Sequence, residues 1–313
     1  MGCGWRELCC GAFRGGALRV EVGVARVVCV HGVGQQVETE STLRDKWAAA
    51  LCGGVQLAGG ELGEREVRCA AYGDLFRPRG RSLTVGDSLI RVEDLDEFER
   101  EMLAEWWAEA ARSDPRVVAP DARTLVRTPR GVQVALRALS GSRFFAAIGQ
   151  RALLGDLRQV RDYLSKPEVR QQARRRVAKV VEEDVRVLVG HSLGSVVAYE
   201  ALCANPNWPV RMLVTLGSPL GIANLIFDQL QPAPRSVTDA GSSPRGHWPG
   251  VGRTWTNIAD KADVVALVKD LRPAFGPQLD CWIINNGAHA HDVKPYLTAV
   301  ETGRAILAGL ARG

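Results

Sequence analysis

The chain lacks any uninterrupted apolar run of the roughly 18 residues that a membrane-spanning helix needs, so no transmembrane segment is expected. The opening residues, MGCGWRELCCGAFRGG, lack the apolar core of a secretion signal. The Met1-Gly2-Cys3 start resembles an acylation signal, but Arg6 stands where myristoylation wants Ser or Thr. Residues 1–19 therefore read as a loose tail, or as a start placed upstream of the true one. No pair among the eight cysteines has zinc-ligand spacing, and no histidine accompanies Cys3, Cys9 and Cys10. Cys29, Cys52, Cys69, Cys203 and Cys281 sit mostly in apolar runs, as small buried hydrophobes do. A disulfide framework is not expected in so long and apolar a chain, which points to a reducing, cytoplasmic compartment. His31-Gly32-Val33-Gly34 begins like a phosphate-binding loop, but Val37 replaces the third glycine and no Lys-Ser/Thr pair follows. No internal repeat is visible.

What is present is ordinary globular composition: 313 residues, 46% hydrophobic and 24% charged, enough for one large α/β domain or two smaller ones. The net charge of +5 is carried by dispersed arginines apart from Arg170-Gln171-Gln172-Ala173-Arg174-Arg175-Arg176, which reads as a solvated helix face. Nucleic acid is not expected as a partner.

Apolar β-type runs alternate with helical patterns along residues 20–313. Strands are expected over 20–30, 66–72, 185–189, 210–216, 253–258 and 279–284, and helices over 42–52, 97–112, 168–183 and 296–310. Residues 122–164 read as helical with breaks at Thr128-Pro129 and Ser140-Gly141-Ser142, and the Pro-, Gly- and Ser-rich stretch 231–253 as a surface loop. This alternation predicts an α/β class, with a mostly parallel central sheet flanked by helices on both faces. The stretch from about 76 to 166 is too long for one crossover and reads as a helical, cap-like insertion. Trp106-Trp107 and Phe144-Phe145-Ala146-Ala147-Ile148 would either form a lid over an acyl pocket or fill the insertion's own core.

The most informative segment is Val185-Arg186-Val187-Leu188-Val189 followed by Gly190-His191-Ser192-Leu193-Gly194 and the small-residue helix Ser195-Val196-Val197-Ala198. A strand entering G-x-S-x-G and a helix leaving it is the sequence form of a nucleophile elbow. Gly190 and Gly194 remove side chains that would collide across the sharp turn, and the helix N-terminus favours negative charge developing near Ser192.

A serine nucleophile needs a base, and the base needs an orienting group. His191 lies inside the elbow and is expected to point away from the chemistry. His247 lies in the surface loop. His31 ends an early strand and is expected to fix its loop by hydrogen bonding. The base should follow the last strand, where His291 is preferred and His289 is the alternative. The acid should follow the strand after the elbow unit. Asp263 is preferred because Val264-Val265 would anchor it inward, and Asp260 is the alternative, with a capping role otherwise. For the oxyanion hole, the Leu193 N–H and the Val33 N–H are the candidates, with Gly32 permitting close approach.

The His31–Gly34 loop, the GHSLG elbow, Asp263-Val264-Val265-Ala266, the run Thr215-Leu216-Gly217-Ser218-Pro219-Leu220-Gly221 and the final Ala290-His291-Asp292-Val293-Lys294-Pro295-Tyr296-Leu297 resemble the α/β-hydrolase superfamily, nearest to its bacterial lipase- and esterase-like members. The resemblance covers roughly 25–76 and 167–313. It implies a serine hydrolase of acyl esters, on a small-molecule or lipid ester, with no metal and no organic cofactor. Peripheral contact with a membrane surface and the oligomeric state stay open. A thioesterase or serine peptidase would use the same residues, and a binding or scaffold protein on the same fold is the alternative outside catalysis. The intact serine, acid and histidine set speaks against that alternative.

Overall fold

The computed structural model describes residues 25–77, 91–120, 128–140, 142, 150–236 and 243–311. The expected tail (1–19), the start of the first strand and the Phe144–Ile148 patch lie outside the described residues.

Among the described residues six strands form one sheet: β1 (Val27–Val30), β2 (Val67–Ala70), β3 (Val187–His191), β4 (Met212–Leu216), β5 (Thr254–Asp260) and β6 (Asp280–Ile284). Their order is β2-β1-β3-β4-β5-β6, and every neighbouring pair is parallel. Parallel strands need crossovers, and the crossovers cover both faces. Strands β1, β3 and β4 are accordingly buried at every position. Alternate residues serve opposite faces. Val28, Val30, Leu188 and Leu213 join one core, while Val27, Cys29, Val187, Val189 and Val214 join the other.

On the second face lie α1 (Glu40–Leu57) and the closing pair α8 (Val293–Thr298) and α9 (Val300–Leu310). A single closing helix was expected over 296–310. Extended backbone at Ala299 divides it instead (ψ 139°), and the Thr302 hydroxyl donates to the Tyr296 carbonyl across the break. Helix α1 is longer than its expected 42–52 because Thr39 and Thr42 form a reciprocal cap at its start.

The first face carries α2 (Glu97–Ser113), α3 (Pro129–Ser140), α4 (Gln150–Ser165), α5 (Pro167–Val180) and α6 (Leu193–Ala204), with the short α7 (Arg272–Phe275) before β6. Helices α2, α3 and α4 lie between β2 and β3 in the chain. Asp96 and Glu99 form a capping box at the start of α2, and the same two carboxylates receive Arg161 and Arg158 of α4. Helix α5 is tied to α6 by the buried Arg170–Glu200 pair, which Tyr163 also joins through its hydroxyl. Because all six strands run the same way, every loop that follows a strand emerges at one edge of the sheet, where ligands of such sheets bind.

Candidate active site

Ser192 sits between the end of β3 and the first residue of α6, with φ 53° and ψ −129°. A non-glycine residue rarely adopts positive φ, and here the surroundings hold it there. The Ser192 N–H donates to the Leu216 carbonyl (3.0 Å), and its own carbonyl accepts from the Ser195 N–H and the Ser195 hydroxyl. Ser195 in turn bonds Ser218 (2.7 Å), which pins the elbow to the loop after β4. A Cβ at Gly190 would lie 2.6 Å from the Gly194 carbonyl oxygen, and one at Gly194 would strike the Val30 and His31 carbonyls. Gly190 is thus required by close backbone approach across the turn, and Gly194 by close approach to the end of β1.

Three side chains from different loops form a line. The Asp263 Oδ2 to His291 Nδ1 distance is 2.8 Å, and His291 Nε2 to Ser192 Oγ is 3.1 Å. A carboxylate can only accept, so Nδ1 carries the proton and Nε2 faces the serine hydroxyl as an acceptor. Asp263 is fully buried, while its Oδ1 accepts from the Val265 and Ala266 N–H groups. Burial alone would raise its pKa. The charge and hydrogen bond of His291, with donors from Tyr296 and Val265, outweigh that and hold the carboxyl down at about 2. For His291 burial opposes the cation, but Asp263 outweighs it and raises the imidazole above its ordinary value. Buried Val264 and Val265 anchor the loop that carries the acid.

The two alternatives lie elsewhere. Asp260 spends its carboxylate on backbone N–H groups of Ala262 and Asn286, a loop-capping role. His289 is exposed and bonds Asp292 (2.7 Å). His247 contacts the Ala233 carbonyl in the 231–253 loop.

His31 is buried and stacks on Tyr72, with ring centroids 4.1 Å apart. Its Nδ1–H donates to the Gly32 carbonyl (2.7 Å), and its Nε2 accepts from the Tyr72 N–H (3.1 Å). Burial lowers its basicity to about 4, so the ring is neutral. In a trans peptide the C=O and N–H point opposite ways. Holding the Gly32 carbonyl against His31 therefore turns the Val33 N–H to the other side of the loop. Gly32 packs hard on Ser192, since a Cβ there would lie 2.7 Å from Ser192 Cβ. The Leu193 N–H opens α6 at the same point.

His191 differs from the expectation that it points away. Its ring lies 4.8 Å from that of His291, and its Nε2–H donates to the His291 carbonyl (3.0 Å). The strand's last residue turns its side chain beneath the histidine loop, where burial lowers its basicity to about 3. Tyr296 also escaped the sequence reading. Its hydroxyl donates to Asp263 Oδ2 (2.7 Å) and accepts from the Asp260 N–H (2.7 Å). It reaches Asp263 from α8 through tertiary packing, and no local pattern announces that.

A parallel sheet whose central strand β3 ends in a serine elbow, with later loops delivering an aspartate and a histidine to that serine, defines the architecture. The chain has the α/β-hydrolase fold.

No family model and no curated protein matches the chain. Among solved structures, a dienelactone hydrolase from Anabaena variabilis is similar at 14% identity, over 92% of this chain and 88% of that one, with a TM-score of 0.33.

In this α/β-hydrolase fold a cavity of about 40 Å³ opens on Ser192 and His291. Val33, from the loop after β1, and Leu193, the first residue of α6, bound it on one side. Helix α2 contributes Met102 and Trp106, and α4 contributes Leu153, Asp156 and Val160. Trp106 thus serves as cavity wall, whereas Trp107 is buried in the core of the helical segment with its indole N–H on the Val118 carbonyl (2.8 Å). Among the described residues no group of three or more His, Cys, Asp or Glu has metal-site geometry, and no helix is long and apolar enough to cross a membrane.

Proposed function

We propose that this protein is a serine hydrolase that cleaves acyl esters of small molecules or lipids through Ser192, His291 and Asp263. The observation that carries the reading is the continuous Asp263–His291–Ser192 hydrogen-bonded line ending on a serine held at positive φ. Ser192 Oγ attacks the ester carbonyl while His291 Nε2 takes its proton, forming the Oγ–C bond. The Leu193 and Val33 N–H groups receive the oxyanion. Collapse breaks the bond to the leaving oxygen, and the imidazolium hands that oxygen the proton. Water then repeats the sequence on the acyl-enzyme and releases the acid. Asp263 stays ionised throughout, keeping Nδ1 protonated and stabilising the imidazolium.

The cavity has room for only a few waters. Substrate entry therefore displaces the wall formed by α2 and α4, so acyl length is set by how far that wall yields.

Labelling with a fluorophosphonate probe tests the assignment. Wild type should label, and Ser192→Ala should not. Turnover of p-nitrophenyl esters should fall by several orders of magnitude in the variant with the fold retained. A folded wild type that neither labels nor turns over any chain length rejects the reading in favour of a binding protein.

A further inference from the structure

Among the described residues lining the cavity, Asp156 is the one ionisable side chain that the acyl-transfer scheme does not use. It projects from α4 into a space shared with Ser192 and His291, and the other described lining residues are apolar. Gln159, one turn on, donates its amide N–H to Asp156 Oδ1 (3.3 Å) and accepts the Gly34 N–H on its own oxygen (3.2 Å). The carboxylate therefore lies against the turn after the oxyanion loop, where a Cβ at Gly34 would stand 3.6 Å from Asp156 Oδ1. Among the described residues lining the cavity there is no lysine or arginine, and His291 is the one group able to become a cation. Burial pushes the Asp156 carboxyl up to about 7, against the pull of His291 and the Gln159 bond. Such a carboxylate costs free energy when alone, and a ligand cation would offset that cost. Trp106 lines the same cavity, and an indole is the aromatic side chain that best attracts an ammonium group.

We propose that Asp156 and Trp106 form a cation-recognition subsite, so that the preferred ester carries an ammonium group and an ester carrying a carboxylate is disfavoured. The proposal rests on the ester-hydrolase reading for the identity of the substrate, but the subsite itself can be measured without turnover.

Calorimetric titration of the Ser192→Ala protein with choline and with its uncharged isostere 3,3-dimethylbutanol separates charge from shape. Choline should bind about tenfold tighter or better, the scale of one desolvated cation contact. In Ser192→Ala/Asp156→Asn the preference should fall toward one. In the wild type, the ratio of kcat/KM for acetylcholine over 3,3-dimethylbutyl acetate should follow the same preference, and Asp156→Asn should collapse that ratio. Equal or absent binding of the two ligands, or a preference that survives Asp156→Asn, overturns the subsite. Equal loss on both esters would instead assign Asp156 to holding the Gly34 turn through Gln159. A choline preference in a protein that the fluorophosphonate leaves unlabelled would keep the subsite and remove the hydrolase. Labelling without the preference would do the reverse.

Discussion

At the scale of single residues, the proposed machinery depends on how many donors converge on one carboxylate. Asp263 accepts four hydrogen bonds, two on each oxygen, and Tyr296 shares Oδ2 with His291. Tyr296→Phe removes a donor, leaving more negative charge facing the imidazole. His291 should then become more basic, and the acid limb of kcat/KM should move up by a few tenths of a pH unit. The same variant strands the buried Asp260 N–H, which should cost about 1–3 kcal/mol in denaturant unfolding. In the wild type that limb should lie above the ordinary imidazole value, because hydrolysis needs neutral His291 and Asp263 raises its basicity. Asp263 itself, held at about 2, should add no inflection between pH 4 and 9. Asp263→Asn should remove most activity, and Asp260→Asn much less, since Asp260 does not reach the histidine. A reversed order would refute the acid assignment.

At the scale of elements, the cavity wall is a pair of helices tied together by ion pairs. Glu99 of α2, 1% exposed, binds Arg158 of α4 (2.6 Å), and Asp96 binds Arg161 (3.2 Å). At the far end of α2, Glu109 meets Lys269, whose ammonium also caps the Asp263 and Ala266 carbonyls. Glu99→Gln should therefore loosen α2 and α4 by about 1–3 kcal/mol while leaving β1 and β3 intact. Hydrogen exchange should quicken over 97–113 and 150–165 and not over 187–191. Uniform quickening would mean that these helices unfold only with the sheet.

The elements were largely legible, because strands buried on both faces show as apolar runs and the helices between them as amphipathic ones. GHSLG fixes a serine at a strand-to-helix turn through sterics that any chain must obey. Asp156, Tyr296 and His191 were not legible. Asp156 sits in an ordinary amphipathic helix, and its place in the cavity depends on how α4 packs over the sheet. Tyr296 depends on how α8 packs against the loop after β5, and His191 on the path of a loop a hundred residues further along the chain. Such placements arise from tertiary packing, which local patterns do not encode.

At the scale of the whole molecule, two neutral histidines buried behind the site give the fold an acid weakness. His31 and His191 are held at about 4 and about 3, below the value of 6.5 that they regain on unfolding. Between those limits the unfolded chain binds more protons, so stability falls as pH falls. Each histidine contributes a slope of about 1.4 kcal/mol per pH unit within its window. Asp156, held at about 7, offsets one of the two by taking up its proton in the folded state, so a net fall remains. Urea unfolding at pH 7, 6 and 5 should show the midpoint dropping at each step below 6.5. A flat profile would show that these rings accept protons in the folded state.

The sheet order also has a consequence for synthesis on the ribosome. Strand β1 is made early, and β2 soon covers one of its edges. Its other edge pairs with β3, with Val27 opposite Val187, so that partner emerges only after about half the chain has followed. Throughout that interval a fully apolar strand presents an open edge, and slow pairing of this kind exposes a chain to aggregation. Helices α2, α3, α4 and α5 are made in that interval. Their translation time sets how long the nascent chain depends on chaperones before the serine turn can form.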